Sequence, residues 1–176
     1  RDGCSRWWQE RQPSLEGMSL MAAAGELREV LLEQNREIIR RYGARRTGST
    51  LALLFLLRDR YVYLSAGDSR IYRVRGWTLR QLTVDDVCGN FTDAPGMPEE
   101  PDAAARGKLM GAVGLEPVPS FTVGTGELHR GDRFFLCSDG VHGCIAPRRL
   151  GRSIRLGGGN PSRLVAGLAR EVERNG

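Results

Sequence analysis

Two aspartate-containing turns are the places in this sequence where residue type and position could support chemistry. One is Ala66-Gly67-Asp68-Ser69-Arg70 and the other, far downstream, is Leu136-Cys137-Ser138-Asp139-Gly140. Each follows an apolar, β-prone run, so each places a carboxylate where a strand breaks into a turn. Two such carboxylates could share a hard divalent cation, which prefers oxygen ligands. Asp-Ser and Asp-Gly are also ordinary turn sequences, so a purely structural role stays open for both.

Length and composition favour one domain with a real hydrophobic core, because the chain has 176 residues of which 40% are apolar. The longest apolar run, Leu51 to Leu57, is too short to span a bilayer. The N-terminal residues do not resemble a secretory leader, and the four cysteines are scattered without paired metal-ligand spacing. These features predict a cytoplasmic protein without a membrane partner.

A net charge of +5 is compatible with a nucleic-acid partner, but the charge pattern argues against one. Lys108 is the only lysine, and the arginines are dispersed and interleaved with acidic residues. The small clusters Arg40-Arg41 and Arg45-Arg46 have a single aromatic residue between them, Tyr42, and not the series of interleaved aromatic residues that a single-strand binder needs. We therefore expect solvated charged faces and no nucleic-acid partner.

Hydrophobic periodicity places the two turns in an α+β framework. Apolar residues at three- and four-residue spacing predict a helix from Ser19 to Tyr42, ended by Gly43. Apolar and alternating runs predict a meander of four consecutive antiparallel strands, the first buried on both faces. Two more strands and a C-terminal helix follow. The predicted ranges are 48–58, 61–65, 70–75 and 77–82 for the meander, 121–123 and 132–137 for the later strands, and 161–174 for the last helix, capped by Asn160 or Ser162.

Residues 85–107 differ from the rest of the chain, since they combine three prolines and several acids with few large apolar residues. A segment this long inside a compact domain is expected to be functional, for example as a lid or substrate flap. The predicted organisation is thus a single domain over residues 1–176 with an irregular flap at about 85–107.

Five segments form an ordered series along the chain: Gly48-Ser49-Thr50, Ala66 to Tyr72, Gln81 to Asp86, Gly111-Ala112-Val113-Gly114, and Gly131 to Gly140. In this order and at this spacing they resemble the metal-dependent protein phosphatases of type 2C, in their bacterial form. The resemblance covers residues 18 to 175. It implies stacked antiparallel β-sheets flanked by helices, an α-β-β-α sandwich. It also implies hydrolysis of phosphoserine and phosphothreonine in proteins.

The same resemblance implies a cofactor, partners and site residues. The cofactor would be two or three Mn²⁺ or Mg²⁺ ions that activate a water, so no residue is expected to act as a covalent catalyst. The partners would be a phosphorylated protein substrate and a serine/threonine kinase. Asp139 matches a ligand of the catalytic metal pair, and Asp68 is similar to a residue that helps to hold a third metal. For Asp68 the alternative is a structural turn that orders Arg70, and for Asp139 it is a turn aspartate. Asp85 and Asp86 are expected to pack or to anchor a loop.

The chain departs from the family pattern at two places. The early Asp-Gly-x-Gly-Gly motif has only Asp2-Gly3 as a candidate, without the later glycines or a preceding strand, and the late Asp-Asn-x-Thr motif does not occur. Two interpretations follow: an internal portion of a longer, and here incomplete, phosphatase, or a divergent relative without the metal pair. Because Asp139 alone matches one of the three ligands expected for the metal pair, we expect these residues alone to have little or no activity. The alternative function is a non-catalytic pseudophosphatase or regulatory fragment that binds a phosphoprotein or a kinase.

Overall fold

The chain folds into two compact units, each built on an antiparallel sheet. The computed structural model describes residues 2–14, 17–44, 46–87, 109, 111–157 and 159–176, so most of the predicted flap lies outside the described residues. Unit 1 comprises residues 1–68 and 85–128, and Unit 2 comprises residues 69–84 and 129–176. The predicted single-domain organisation stays a prediction.

The described residues form five α-helices and six strands. The helices are α1 (Asp2–Arg11), α2 (Leu20–Tyr42), α3 (Asp139–His142), α4 (Pro147–Leu156) and α5 (Pro161–Asn175), with a 3₁₀ turn at Gln12–Ser14. The strands are β1 (Leu51–Leu57), β2 (Arg60–Ala66), β3 (Arg70–Arg75), β4 (Thr78–Gln81), β5 (Thr122–Glu127) and β6 (Arg133–Cys137).

The sheet of Unit 1 has the order β1-β2-β5, with both pairs antiparallel. Small residues on β5 make room for large ones on β2. Gly124 lies opposite Tyr63, and a Cβ atom at Gly124 would come within 2.2 Å of the Tyr63 ring. Gly126 lies opposite Tyr61 in the same way, with 2.5 Å to the tyrosine hydroxyl. The aromatic rings thus cover the glycines of the neighbouring strand and fix the register.

Helices α1 and α2 cover one face of this sheet. Ser19 caps α2 by accepting a hydrogen bond from the Ala22 amide at 3.1 Å, and Gly43 ends the helix with a positive φ of 83°. The core-facing residues of α2 include Leu27 and Leu31, which pack with Val62 and Leu64 of β2 and with the odd-numbered residues of β1.

The Trp7-Trp8 pair of α1 also packs on this sheet. Both indole rings contact Phe55 of β1, with ring centroids 5.5 and 5.4 Å apart. The Trp7 indole also donates a hydrogen bond to Glu26 at 2.9 Å. Both tryptophans therefore belong to a helix that covers the sheet.

Unit 2 contains a second sheet with the order β4-β3-β6, covered by α4 and α5. Its core consists of Tyr72 and Val74 from β3, Ile145, Leu150, Ile154 and Leu168. Gly151 allows α4 to approach β4 closely, since a Cβ atom there would lie 3.1 Å from the Leu79 Cβ atom. Asn160 caps α5, as predicted, by accepting a hydrogen bond from the Arg163 amide at 3.0 Å.

The structure corrects two predictions about the strands. The four-strand meander is wrong at its centre, because β2 pairs with β5 and β3 pairs with β6. A tight turn at Gly67, with φ of 94°, separates the strands that belong to different sheets. The prediction that β1 is buried on both faces is also wrong. It is an edge strand, its residues are half-buried, and Leu56 is 49% exposed. Within the described ranges, no helix combines the length and hydropathy needed to cross a membrane.

Candidate active site

Asp139 lies immediately after the end of β6, as the apolar run before it predicts. The strand ends at Cys137, Ser138 is extended with φ of −82° and ψ of 174°, and Asp139 begins the short helix α3. Asp139 is exposed, and its Oδ1 atom accepts a hydrogen bond from the Gly140 amide at 2.8 Å. A carboxylate held in this way still presents its other oxygen to solvent, which suits a cation ligand.

Asp68 follows a turn whose backbone conformation is set by Gly67. The φ of 94° at Gly67 lies in the region that side chains other than glycine rarely adopt. A Cβ atom there would also meet the Thr50 side chain at 2.5 Å and the Gly111 carbonyl oxygen at 3.2 Å. Only glycine fits this position, so the turn that presents the half-buried Asp68 is sterically determined.

Asp86 anchors the same turn from the other side. Its Oδ2 atom accepts a hydrogen bond from the Gly67 amide at 2.8 Å, and its own amide donates to the Gly67 carbonyl at 3.0 Å. Asp86 is only 4% exposed, and this burial raises the pKa of its carboxyl group, although the Gly67 hydrogen bond opposes the rise. The expected loop-anchoring role of Asp86 is thus a direct contact with the Gly67-Asp68 turn.

Asn35 of α2 fixes the loop that carries Gly111 to Gly114. Its Nδ2 atom donates to the carbonyl oxygens of Glu116 and Pro117 at 2.8 and 3.1 Å, and its Oδ1 atom accepts from the Gly114 amide at 2.6 Å. Asn35 is fully buried, so these bonds satisfy a polar group that would otherwise be costly. The sequence contains a signal for it, because Asn35 continues the four-residue spacing of Leu27 and Leu31 on the core-facing side of the helix.

A pair of backbone hydrogen bonds joins this loop to the segment before β1. Ser49 and Val113 exchange amide-to-carbonyl bonds of 2.9 and 3.0 Å. Residues from four of the five motif segments therefore meet around Gly67 in Unit 1. Together these residues hold the Gly67 turn. The carboxylate that directly follows this turn is that of Asp68.

The last motif segment belongs to Unit 2, where its other aspartate, Asp132, makes structural contacts. Asp132 accepts two hydrogen bonds from Arg75, at 2.8 and 2.7 Å, and one from the His129 amide at 3.0 Å. The guanidinium of Arg75 lowers the pKa of Asp132 to about 2. Sequence reasoning had not singled out this aspartate. Further along, Arg70 pairs with Cys137, so the start of β3 lies beside the end of β6 that leads to Asp139.

The two predicted ligands fall in different units, Asp68 in Unit 1 and Asp139 in Unit 2. Asp2 is the first residue of helix α1 rather than the end of a strand, and its side chain lies outside the described part. His142, on α3, is half-buried.

Among the described residues, no group of three or more His, Cys, Asp or Glu side chains is arranged to hold a metal ion. The carboxylate type and exposure of Asp139 fit a Mn²⁺ or Mg²⁺ ligand, but the described residues do not complete a ligand set for two or three ions.

Comparison with known proteins agrees with the motif series. PstP of Mycobacterium tuberculosis, a serine/threonine protein phosphatase, is 31% identical over 113 residues, which are 62% of this chain and 22% of PstP. The protein phosphatase PhpP of Streptococcus pneumoniae is 32% identical over 102 residues, which are 56% of this chain and 42% of PhpP. The chain is a relative of these bacterial protein phosphatases. It spans less than half the length of the curated relatives it matches, and no protein-family model matches it.

Two solved structures share the fold of this chain. PppA of Pseudomonas aeruginosa has a TM-score of 0.73 and 28% identity, with 90% of this chain and 66% of PppA covered. The catalytic domain of PstP, solved in complex with two manganese ions, has a TM-score of 0.67 and 24% identity, with 86% and 65% covered. The resemblance to type 2C phosphatases and the predicted α+β class, with antiparallel sheets and helices, are therefore confirmed.

Proposed function

We propose that this chain belongs to a cytoplasmic serine/threonine protein phosphatase that hydrolyses phosphoserine and phosphothreonine in proteins, while these residues alone are expected to have little or no activity. The observation that carries the proposal is Asp139, an exposed carboxylate presented at the end of β6 in the same Ser-Asp-Gly motif that suggested the family. The sequence likeness to PstP and PhpP supports the reaction class. A phosphorylated protein is the substrate in this proposal, and a serine/threonine kinase is the expected source of it.

The proposed cofactor is Mn²⁺ or Mg²⁺, with Asp139 as a ligand of the catalytic ions and Asp68 as an accessory ligand. The two manganese ions bound to the PstP catalytic domain support this choice, as does the preference of both cations for carboxylate oxygens. Such ions, when bound, lower the pKa of a water so that it can attack phosphorus near neutral pH. Thr50, Asp86 and Gly111 would position Asp68 for this role, because all three contact the Gly67 turn that precedes it.

Metal binding tests the proposal without depending on activity. Mn²⁺ binding, followed by the loss of the free-ion electron paramagnetic resonance signal, should weaken about tenfold or more in the Asp139→Asn variant, because a neutral amide is a poor ligand for a hard cation. Asp59→Asn is the matched control, since Asp59 is also a turn aspartate and its side chain is 87% exposed. Equal Mn²⁺ affinity of Asp139→Asn and Asp59→Asn would remove the assignment of Asp139.

A second candidate function is a non-catalytic module that binds a phosphoprotein or a kinase. The observation that favours it is the absence of a metal-ligating group of three among the described residues. A phosphothreonine peptide should then bind equally well with Mn²⁺ and with a chelator, and p-nitrophenyl phosphate should not be hydrolysed. Manganese-dependent hydrolysis by these 176 residues would favour the enzyme and contradict our expectation that they have little activity alone.

A further inference from the structure

The formal charge is divided unequally between the two units. Unit 2 contains 13 arginines against four acidic residues, a net charge of +9, whereas Unit 1 contains 13 basic and 17 acidic residues, a net charge of −4. Two of the four acids in Unit 2, Asp132 and Glu171, already form ion pairs with arginines of the same unit. Unit 2 therefore carries a strong positive field, of the kind that attracts and orients an acidic partner.

Helix α4 concentrates this charge on its surface. Its ten residues contain four arginines and no acid. Arg149 is bound to Glu171 of α5. Arg148 and Arg152 are exposed and four residues apart, so they lie on one side of the helix. Within the described part of the chain, neither of their side chains forms a hydrogen bond or an ion pair. Both guanidinium groups are thus available to an incoming anion.

The fourth arginine of α4, Arg155, contacts an exposed aromatic ring. The Arg155 guanidinium lies over the Trp77 indole, 3.9 Å from the ring centroid, and donates a hydrogen bond to the Trp77 carbonyl at 3.1 Å. Trp77 is 79% exposed, which is unusual for so large an apolar side chain. The contact orders the guanidinium in advance, and this lowers the entropic cost of binding.

These residues line a common surface groove, which we call the α4 groove. Its lining comprises Trp77, Leu79, Pro147, Arg148, Arg152 and Arg155. The close approach of α4 to β4 at Gly151 builds the groove, since it brings the helix against Leu79 and beside the Trp77 turn. The lining therefore combines apolar and aromatic residues with three arginines of α4.

The spacing of Arg148 and Arg152 is close to the repeat of an extended peptide chain. Positions 148 and 152 are separated by about 6 Å along the helix axis. Alternate side chains on one face of an extended chain are about 6.6 Å apart, so acidic residues at every second position could meet successive guanidinium groups. A single phosphate is too small to span positions 148 to 155, which are about 10 Å apart along the axis.

We propose that the α4 groove docks an extended, Asp/Glu-rich segment of a protein partner, with its carboxylates on Arg148, Arg152 and Arg155 and an apolar side chain on Trp77. A single-stranded nucleic acid fits less well. Base stacking requires several successive aromatic platforms, whereas Trp77 is the one aromatic residue of this lining and Arg155 already covers one of its faces. The docking surface is independent of the phosphatase activity proposed above.

Fluorescence anisotropy of a dye-labelled peptide with alternating Glu and Ala, added to the full chain, tests the docking. The double variant Arg148→Gln with Arg152→Gln should bind about tenfold more weakly, because two exposed charge pairs are lost. Trp77→Ala should also weaken binding. The control is Arg36→Gln with Arg40→Gln, which removes the same charge from exposed, ion-paired sites on α2 and should leave the affinity within about twofold.

Circular dichroism melts would verify that all variants are folded, as expected for exposed positions. Equal weakening by the two double variants would show attraction by net charge alone and would overturn the proposal. So would equal binding of a peptide in which every Glu is replaced by Gln, or tighter binding of a single-stranded oligonucleotide of the same charge.

Discussion

The two aspartate turns are held in opposite ways. The turn of Asp68 in Unit 1 is fixed by buried contacts from distant segments, with Thr50, Asp86 and Gly111 all against Gly67. Asp139 in Unit 2 is exposed, and within the described residues its side chain bonds only to the adjacent Gly140 amide. A carboxylate with few protein partners, such as Asp139, can bind a ligand. A packed turn, such as the one at Gly67, fixes the position of the carboxylate that follows it. The contacts around Gly67 therefore serve to position a residue, whereas the exposed Asp139 carboxylate is the group that could bind a cation.

The charge distribution follows the same division. Unit 1 has a net charge of −4 and uses buried polar groups to hold its loops, whereas Unit 2 has a net charge of +9 and leaves several arginines exposed. Buried polar groups must be satisfied within the protein, while exposed charges are satisfied by water or by a partner. We therefore expect substitutions of the buried polar residues that hold the loops of Unit 1 to act mainly on the free energy of unfolding. Substitutions at exposed positions of Unit 2 should act mainly on the binding of a cation or a protein partner.

The largest expected effect is that of Asn35→Ala. The substitution removes the acceptor of the buried Gly114 amide and the donor of two part-buried hydrogen bonds to the carbonyls of Glu116 and Pro117. We expect a loss of about 3 kcal/mol in the free energy of unfolding, measured by urea denaturation. The exposed neighbour Arg36→Ala is the control and should cost under about 0.5 kcal/mol. Similar losses of stability for both variants would show that the hydrogen bonds of Asn35 to its loop contribute little to the stability of Unit 1.

Asp132→Asn tests whether Unit 2 also contains a buried anchor. The Asp132 side chain is 1% exposed and makes a two-fold contact with Arg75, so its neutralisation should cost about 2 kcal/mol at pH 7. The pKa of Asp132 is lowered from 3.8 to about 2. The stabilisation is therefore complete above pH 3.8 and is lost as the pH falls through about 2.

The difference in stability between wild type and Asp132→Asn should accordingly shrink from pH 4 to pH 2, in denaturation curves recorded across that range. A difference independent of pH would mean that the ion pair contributes nothing and that the variant acts through packing.

Asp86 allows a comparison of two substitutions at one position. Asp86→Ala removes the acceptor of the buried Gly67 amide, which should cost about 1 to 2 kcal/mol. Asp86→Asn keeps an acceptor oxygen for the Gly67 amide and has no charge to bury. In the native protein, burial raises the pKa of the Asp86 carboxyl group. Thermal unfolding should therefore rank Asn close to wild type and Ala clearly below it. An equal loss for both would show that the charge, rather than the hydrogen bond, matters.

The smallest expected effect is that of Asp139→Asn on stability. The side chain is exposed and makes one local hydrogen bond, so the free energy of unfolding should change by less than about 0.5 kcal/mol. Together with the loss of Mn²⁺ affinity expected above, this would separate a ligand from a structural turn. A stability loss as large as that of Asp86→Ala would instead support the turn interpretation.

Much of the secondary structure could be predicted because its causes are local. The helix from Ser19 to Tyr42 follows from apolar spacing and its caps. The hairpin of β3 and β4 follows from alternation around Gly76, which has a φ of 55°. The turns of Asp68 and Asp139 were placed correctly because each ends an apolar run. What the pattern could not predict was the partner of each strand, since β2 and β3 are consecutive yet pair with β5 and β6.

By itself the sequence determined the local elements, the caps, the positions of the two aspartate turns and the motif series that identified the relatives, because short-range sterics and hydrophobic periodicity act within a few residues. Only the tertiary structure decided which residues hold those turns. Asn35 and Gly114 are 79 positions apart, and Arg75 and Asp132 are 57 apart. Their contacts exist because the folded core brings distant segments together and then requires every buried polar group to find a partner.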